Sequence, residues 1–225
     1  MSPVGFWESL LAARMAVFIG IFHSMFAAVC AIAIGSFCGI VMGFIMTFAR
    51  KYVVFPFRLF VDVVRGIPGL VVVFTIYYFL DVFLRSYGVK LPALMAGIIA
   101  LSVTNTAQMA ELTRGALQAI PRGQIEAGKA IGFRFGQILY YILLPQALIQ
   151  MLPPWVNSAT ETVKGTTLLM LIGISDLLLV TQQLIATNNH ALKYYCFIGL
   201  IYFLLNTVIE FTGKAAEKRL RFDGG

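Results

Sequence analysis

Residues 25–48 read MFAAVCAIAIGSFCGIVMGFIMTF, and this run of 24 residues contains no charged side chain. A helix of that length rises about 36 Å, which is enough to cross the hydrocarbon core of a bilayer with some tilt. The whole chain has 225 residues, of which 60% are hydrophobic and 12% are charged, and its mean hydropathy is +0.87. Soluble domains carry about twice that charged fraction, and disordered chains lack so much apolar surface. The sequence therefore predicts an all-α membrane protein and excludes a soluble globular enzyme.

Four further apolar runs follow the first one, at about 67–84, 91–110, 138–160 and 194–213. Residues 1–19 mix apolar side chains with Glu8 and Arg14, which predicts a helix lying in the membrane interface. Residues 168–180 are apolar but short and contain Asp176, so we expect a re-entrant or buried segment there rather than a span. The expected organisation is an N-terminal interfacial segment (1–19), a transmembrane domain (20–213) and a basic cytosolic tail (214–225).

The distribution of basic residues indicates the number of spans and their direction. With five spans and an outer N-terminus, the inner side holds 12 of the 17 Lys and Arg residues and the outer side holds 5. A sixth span would move the four basic residues after position 213 outside and give 8 against 9. Because basic residues concentrate on the cytoplasmic side, the sequence predicts five spans, with the N-terminus outside and the C-terminus in the cytosol. No pattern typical of nucleic-acid binding accompanies the net charge of +7.

One substantial stretch is expected to face the cytosol, residues 119–137, which read AIPRGQIEAGKAIGFRFGQ. Pro121 suits the first turn of a helix, and Gly132 is a natural helix stop. Small residues at 127, 128 and 130 would let another surface approach the helix backbone closely. Composition alone favours a surface helix that only joins two spans. The functional interpretation is a helix that docks into the groove of a partner protein.

The residues of this stretch and several others carry a family resemblance. Glu126-Ala127-Gly128, then Gly132, then Ile142-Leu143-Leu144-Pro145 resemble the EAA loop of the permeases of binding-protein-dependent ABC importers. Further stretches agree in order and spacing with the polar-amino-acid permeases of that group: Arg65-Gly66-Ile67-Pro68, Ala110 to Gly115, Gly123-Gln124, Leu144 to Ala147, and Asn157 followed by Lys164 to Leu168. The resemblance covers about residues 20–213, which is nearly the whole chain.

The resemblance implies a type I ABC importer fold, with five transmembrane helices, an N-terminal interfacial helix and a cytosolic coupling helix at about 121–132. It implies a bacterial inner-membrane permease for a polar or charged amino acid, non-catalytic itself, in a homo- or heterodimer with a second permease chain. Two ATP-binding cassette subunits would bind ATP and Mg²⁺ and dock on the coupling helix, an external amino-acid-binding protein would deliver the substrate, and this chain would hold no cofactor. The coupling residues would be Gly123, Gln124, Glu126, Ala127, Gly128 and Gly132.

Three positions depart from the family pattern. The EAA triplet ends in Gly128, a change between small residues that should keep close packing. Ile67 stands where a threonine is usual, and Gly165 stands where the family has an acidic residue. The change at Gly165 bears on the substrate chemistry rather than on the fold.

Polar residues inside the predicted spans are candidates for the substrate path, because such groups are costly in the membrane and usually face a cavity or a partner helix. Asn105 and Gln108 are three apart, and Asn157 and Glu161 are four apart, so each pair shares a helix face. Pro153 and Pro154 precede the second pair, and we expect them to interrupt the helix there. Glu161 would meet the ammonium group of an amino acid, and the three amides would hydrogen-bond the remainder.

Structural interpretations stand beside each of these assignments. Glu161 could form only an ion pair with Lys164 that fastens the helix end, and the two amides of the third span could form only interhelical hydrogen bonds. Glu111 with Arg114 is expected to be structural, and Arg65 before Pro68 is expected to belong to an inner gate.

The main alternative function is an ion-coupled secondary amino-acid carrier with Glu161 as the proton site. Secondary carriers often contain inverted repeats within one chain, and none is evident here. The stretch 123–130 reads GxxxxGKA, a near match to a phosphate-binding loop. It lacks the Ser or Thr that binds Mg²⁺ and the preceding strand, so we expect no ATP site in this chain.

Overall fold

The computed structural model describes the backbone of residues 5–222 and the side chains of residues 5–219. Every regular element within this range is helical. In chain order the elements are α1 (Phe6–Ala12), α2 (Arg14–Phe48), α3 (Lys51–Gly66), α4 (Gly69–Arg85), α5 (Ala93–Ala119), α6 (Arg122–Ala130), α7 (Phe135–Ile138), a π-helical turn (Leu139–Leu143), α8 (Leu144–Gly165), a 3-10 turn (Thr166–Ile172), α9 (Leu177–Asn188) and α10 (Ala191–Phe222). Part of the predicted tail, 214–225, therefore continues α10, and its last residues lie outside the described range.

The described residues contain four helical spans long and apolar enough to cross a membrane: Arg14–Phe48, Ala93–Ala119, Phe135–Ile172 and Ala191–Arg219. A fifth span is formed if α3 and α4, which meet at an angle of 115°, count together. The all-α membrane fold predicted from the sequence is confirmed.

The first span begins earlier than the charge-free run predicted, at Arg14 rather than near residue 25. The added residues include polar groups that contact a distant segment. The Oγ of Ser24 accepts a hydrogen bond from the backbone N–H of Leu177 at 3.3 Å, and Nδ1 of His23 lies 2.9 Å from the carbonyl oxygen of Ser175. Because these polar side chains have partners inside the protein, the helix extends through them.

Helices α2 and α5 pack together along a seam of small residues. Every fourth residue of α2 in this seam is small and buried: Ala27, Ala31, Gly35, Gly39 and Gly43. A Cβ atom on Gly39 would lie 2.4 Å from the Cβ of Met109 and 2.7 Å from the backbone oxygen of Thr106, which real contacts do not allow. Small residues at this spacing let two membrane helices approach closely and gain dispersion energy. The seam places one face of α5 at a fixed position in the bundle.

The helix break lies at a different place from the one the prolines predicted. Helix α8 is continuous through Pro153 and Pro154. The break falls between α3 and α4, where Ile67 is extended and Pro68 precedes the first residue of α4. The ring of a proline disfavours the helical conformation of the residue before it. Ile67, which precedes Pro68, accordingly has an extended backbone. At residues 153 and 154, packing of α8 along α5 and α10 keeps the helix intact.

The 3-10 turn continues the fourth span, but α9, which follows it, is too short to cross a membrane, so the sequence prediction for residues 168–180 holds only after Ile172. The 3-10 turn ends at Gly173 with φ +79°, a conformation that favours glycine. Asp176 then caps α9, since its Oδ1 accepts a hydrogen bond from the backbone N–H of Leu179 at 2.8 Å. Leu169 and Leu177 are fully buried, so the segment packs against the bundle.

Candidate functional site

A cavity of about 150 Å³ lies between α4, α5, α8 and the 3-10 turn. Its lining combines apolar walls with several polar side chains: Gly69, Val73, Leu101, Thr104, Gln108, Glu161, Thr162, Gly165 and Leu168. Two of the four residues that the sequence indicated for substrate binding, Gln108 and Glu161, are among them. We call this space the central cavity.

Asn105 lies one layer behind the central cavity. Its side chain is buried, and its Nδ2 donates hydrogen bonds to Oγ1 of Thr162 at 3.0 Å and to Oγ of Ser158 at 3.2 Å. Ser158 in turn donates to Oε1 of Gln108 at 2.8 Å. The interhelical hydrogen bond expected as the structural interpretation of Asn105 is therefore present. The same network holds two residues of the cavity wall, Gln108 and Thr162.

Asn157 is exposed and lies one helical turn before Glu161, outside the residues that line the central cavity. Glu161 itself lines the cavity and also pairs with Lys164, whose Nζ lies 2.9 Å from its Oε1. The two side chains are 62% and 54% exposed respectively. An ion pair this exposed contributes little to stability, so Glu161 remains available to a second cation.

Two polar side chains of the central cavity were missed by sequence reasoning, Thr104 and Thr162, whereas Gly165, which bears on the substrate chemistry, was noted from the sequence and does line the cavity. Thr104 precedes the candidate Gln108 by one helical turn, so helical spacing could have found it. Thr162 follows Ser158 by one turn, and the sequence had not singled out Ser158. A Cβ atom on Gly165 would meet only Leu101, at 3.5 Å. The acidic side chain usual in the family would therefore begin at the cavity wall, and its absence leaves the wall smaller and less charged.

A second polar cluster lies nearer the C-terminal end of α5. Arg114 forms a bidentate ion pair with Glu111, in which its Nε donates to Oε2 at 3.1 Å, and its Nη1 donates to Oε1 of Gln118 at 2.9 Å. Arg65 lies in the last turn of α3, which packs against α5. The carbonyl oxygen of Pro68 accepts the N–H of Val71 at 2.9 Å and so starts α4. The bonds of this cluster thus lie within α5, and the helix break at Pro68 follows the neighbouring α3.

Helix α6 is the short exposed helix that the sequence predicted between the third and fourth spans. It runs over Arg122–Ala130 with Pro121 as the residue before its first turn. Gly132 has φ +84°, and the N–H groups of Gly132 and Phe133 donate at 3.0 Å to the carbonyl oxygens of Lys129 and Gly128. These two hydrogen bonds end α6 at Gly132, which confirms the helix stop expected there.

The candidate coupling residues divide between two faces of α6. Gly123, Gln124, Glu126 and Ala127 are exposed, whereas Gly128 is buried against the chain's own span. A Cβ on Gly128 would lie 2.8 Å from the Cδ1 of Ile142 and 3.1 Å from the Cγ1 of Ile138. Glycine at position 128, where the family resemblance leads one to expect alanine, therefore lets α6 pack closely onto α7 and the π-helical turn. A force on the exposed face of α6 would be transmitted to the span that continues into α8.

Comparisons with known proteins agree with this arrangement. The family of binding-protein-dependent transport system inner membrane components matches residues 35–222. The glutamine transport system permease protein of Escherichia coli (strain K12) is 29% identical over 215 residues, which cover 96% of this chain and 97% of that protein. An arginine ABC transporter permease protein of Haemophilus influenzae is 31% identical over 204 residues, covering 88% of this chain and 90% of that one.

The solved structures agree as well. A crystal structure of an amino acid ABC transporter with histidines superposes with a TM-score of 0.83 at 25% identity, covering 94% of this chain and 97% of that chain. The family match extends over most of the helical body described above, including α6 and the central cavity. This chain therefore belongs to the family of binding-protein-dependent transport system inner membrane components, with the type I fold of ABC importer transmembrane domains.

Proposed function

We propose that this chain is the permease subunit of an ATP-driven importer that carries a polar or charged amino acid across the bacterial inner membrane. By their names, the two relatives described above transport glutamine and arginine, and the structural relative is an amino acid ABC transporter. The chain would form the translocation path and would itself catalyse no reaction. Nothing in the comparisons supports the ion-coupled carrier considered from the sequence.

The central cavity is the proposed substrate site. Glu161 would accept the ammonium group or a cationic side chain, and Gln108, Thr104 and Thr162 would hydrogen-bond the remainder. Asn105 would act by positioning Thr162 and, through Ser158, Gln108. Asn157 would contact the substrate only on its way to or from the cavity, because it is exposed one turn away.

Helix α6 is the proposed contact with the energy source. Two ATP-binding cassette subunits would bind ATP and Mg²⁺, so this chain needs no cofactor, and closure of these subunits would pull on the exposed face of α6. The pull would reach the central cavity through α7 and α8, since Gly128 packs α6 onto Ile138 and Ile142. The spans would then rock between an outward-open and an inward-open state, with Arg65, Pro68, Glu111 and Arg114 near the inner end of the path. Two permease chains would line that path together.

The proposed topology has the N-terminus outside and the C-terminus in the cytosol. In that topology α6 and the basic end of α10 face the ATP-binding subunits, and α1 and α9 face the external binding protein. Tags on the two termini with opposite accessibility in intact cells would support this arrangement. Tags found on the same side would contradict it.

The observation that carries the proposed function is the exposed, glycine-terminated α6 packed directly onto the span that bears Glu161. We expect Gly132→Asp to abolish ATP-driven uptake while the complex still assembles, because it places a side chain at φ +84° and a negative charge at the C-terminal end of α6, where the helix dipole is already negative. Proteoliposomes holding the complete complex would measure uptake with ATP inside and an uncoupler present. Normal uptake by the Gly132→Asp complex, or wild-type uptake that stops with the uncoupler but ignores ATP, would refute the proposal.

A further inference from the structure

A larger cavity of about 540 Å³ lies between α2, α8 and α10, and the proposed function makes no use of it. It is lined by residues from positions 25–36 of α2, 152–163 of α8 and 209–216 of α10. The stretches on α2 and α8 each extend about 16 Å along the helix axis. We call this space the lateral groove. It lies on the opposite side of α8 from the central cavity, because Ala159 and Val163 face the groove and Glu161 faces the cavity.

The lining of the lateral groove offers almost nothing to a polar ligand. It contains no charged residue, and its polar side chains already have partners. Nε1 of Trp155 donates to Oγ of Ser36 at 2.8 Å, and Oγ1 of Thr212 donates to the carbonyl oxygen of Val208 at 3.0 Å. Apolar cavities without free hydrogen-bonding groups stay dry and accept apolar guests. The occupant must therefore be apolar where it touches the groove.

The groove opens on an exposed apolar surface. Val29 forms part of its lining and is 65% exposed, and Phe211, next to the lining residues of α10, is 75% exposed. Helices α2 and α10 are both long and apolar enough to cross a membrane, so these side chains suit contact with lipid tails. The mouth of the groove is continuous with this exposed apolar surface of α2 and α10.

The length of the groove suits an extended hydrocarbon chain. Its apolar lining follows α2 and α8 for about 16 Å, so a single acyl chain can lie along it without turning. A helix of a second protein chain is the competing occupant, and the quenching experiment below distinguishes the two.

Charge at the end of α10 complements a phosphate group. Ala216 is the last groove-lining residue of α10, and Arg219 follows it three residues later on the same helix face. Between positions 210 and 221 the chain has four basic residues and two acidic ones. Basic clusters of this kind at a membrane surface attract anionic lipid head groups.

We propose that the lateral groove binds one acyl chain of a phospholipid whose phosphate group lies against the basic end of α10. The acyl chain covers the apolar wall between α8 and α10 and packs on the Trp155 ring, whose orientation is fixed by the hydrogen bond to Ser36. The bound lipid braces the side of α8 that the substrate does not reach. This inference concerns the membrane-facing surface and does not depend on which solute is carried.

Fluorescence quenching of Trp155 tests the proposal directly. The chain has two tryptophans, so Trp7→Phe leaves Trp155 as the only one in this subunit. The complete transporter with that substitution would be reconstituted in nanodiscs of phospholipids brominated in the acyl chain. The emission of a complex with both Trp7→Phe and Trp155→Phe would be subtracted. We expect the Trp155 signal to lose most of its intensity relative to nanodiscs of unbrominated lipid.

Two further substitutions separate a lipid in the groove from lipid merely near the protein. Ala33 lines the groove and is exposed, so Ala33→Phe would place a ring inside it, whereas the neighbouring exposed Ile34 does not line it. Ala33→Phe should relieve the quenching, and the matched control Ile34→Phe should leave it unchanged. Absence of quenching in the complete complex, as expected if a protein chain seals the groove, would overturn the proposal. Equal quenching in the Ala33→Phe and control complexes would overturn it as well.

Native mass spectrometry of the detergent-purified complex provides a second, independent readout. We expect phospholipid to remain bound to the wild-type complex and to the Ile34→Phe control, and to be lost from Ala33→Phe. Arg219→Gln should reduce the share of anionic phospholipid retained, because the phosphate loses its cation. A wild-type complex that retains no phospholipid under conditions that keep its subunits together would contradict the proposal.

Discussion

Helix α5 packs in different ways on its two sides. Toward α2 it meets the seam of small residues, where the backbones approach so closely that a single Cβ on Gly39 or Gly43 would clash. Toward α8 it meets a network of amides and hydroxyls, with Ser158 between Asn105 and Gln108, and the central cavity lies beyond that network. Asn105 belongs to both sides, since a Cβ on Gly35 would lie 2.4 Å from its Oδ1.

The comparison shows how this chain separates stability from transport. The α2 side consists of dispersion contacts at the closest possible distance, so any added atom must displace a backbone. The α8 side consists of hydrogen bonds around a space, so side chains there can change with smaller effects on folding. Substitutions closer to the cavity should therefore destabilise the protein less than substitutions in the seam. Their effect on uptake should come increasingly from changed substrate binding and less from lost stability.

The largest expected loss of stability comes from Gly39→Val in the seam. Its Cβ would lie 2.7 Å from the backbone oxygen of Thr106 and 3.0 Å from the backbone nitrogen of Ala110, and neither can move away as a side chain could. We expect a loss of about 3 kcal/mol, at the upper end of the cost of overpacking. Thermal unfolding of the purified complex would measure it.

A matched control for this substitution is Gly199→Val. Gly199 is also a helical glycine in a span, and a Cβ there meets nothing within 4 Å. The control should assemble and unfold as the wild type does. If both variants lose the same stability, the seam is not the cause, and the proposed division of α5 into two sides fails.

The second largest effect is expected for Asn105→Ala, at the residue shared by the two sides. The substitution removes two hydrogen bonds to α8 and leaves a space next to Gly35, for which we expect a cost of about 2 kcal/mol. Uptake should fall too, because Thr162 and Ser158 lose their partner. Calorimetry and uptake by the same preparation would show both changes, and unchanged stability would mean that the network does not hold α5 to α8.

A smaller loss of stability, about 1 kcal/mol, is expected for Ser158→Ala. Ser158 donates to Gln108 at 2.8 Å, so its removal frees the amide of Gln108 to rotate in the cavity wall. We expect KM for uptake to rise while the maximal rate changes little, since the residue positions a binding group and not the moving helices. A lower maximal rate with an unchanged KM would assign Ser158 to the rocking motion instead.

The sequence predicted the spans, the short helix α6 and its stop at Gly132, because these depend on local hydropathy and on one backbone conformation. Of the polar residues that line the cavity, it indicated Gln108 and Glu161 but missed Thr104 and Thr162. Asn105 and Gln108 share a helix face and both bond to Ser158 of α8, yet only Gln108 lines the cavity. Asn105 is buried between α8 and the Gly35 position of α2. The burial of a polar side chain depends on which helix packs against it. The spacing of residues within one helix does not give that information.

The helix break shows the same limit of local reasoning. Pro68 and Pro153 both follow apolar residues, and only the first interrupts a helix. The cost of a missing backbone hydrogen bond inside a helix is set by its neighbours, and α8 is held along its length by α5 and α10. At Pro68 the chain leaves α3 beside the cavity and begins α4 in a new direction.

The smallest effect on stability and the most specific effect on transport are expected for Glu161→Gln. Because the ion pair with Lys164 is more than half exposed, its loss should cost about 0.5 kcal/mol or less. If Glu161 binds the ammonium group, loss of a charge-assisted hydrogen bond worth about 1.5–3 kcal/mol should raise KM at least about tenfold. Lys164→Met breaks the same ion pair but keeps the carboxylate, so it should leave KM near the wild-type value. Equal changes in KM for the two variants would mean that the pair only fastens the helix end, and the cavity would then have to recognise its substrate without Glu161.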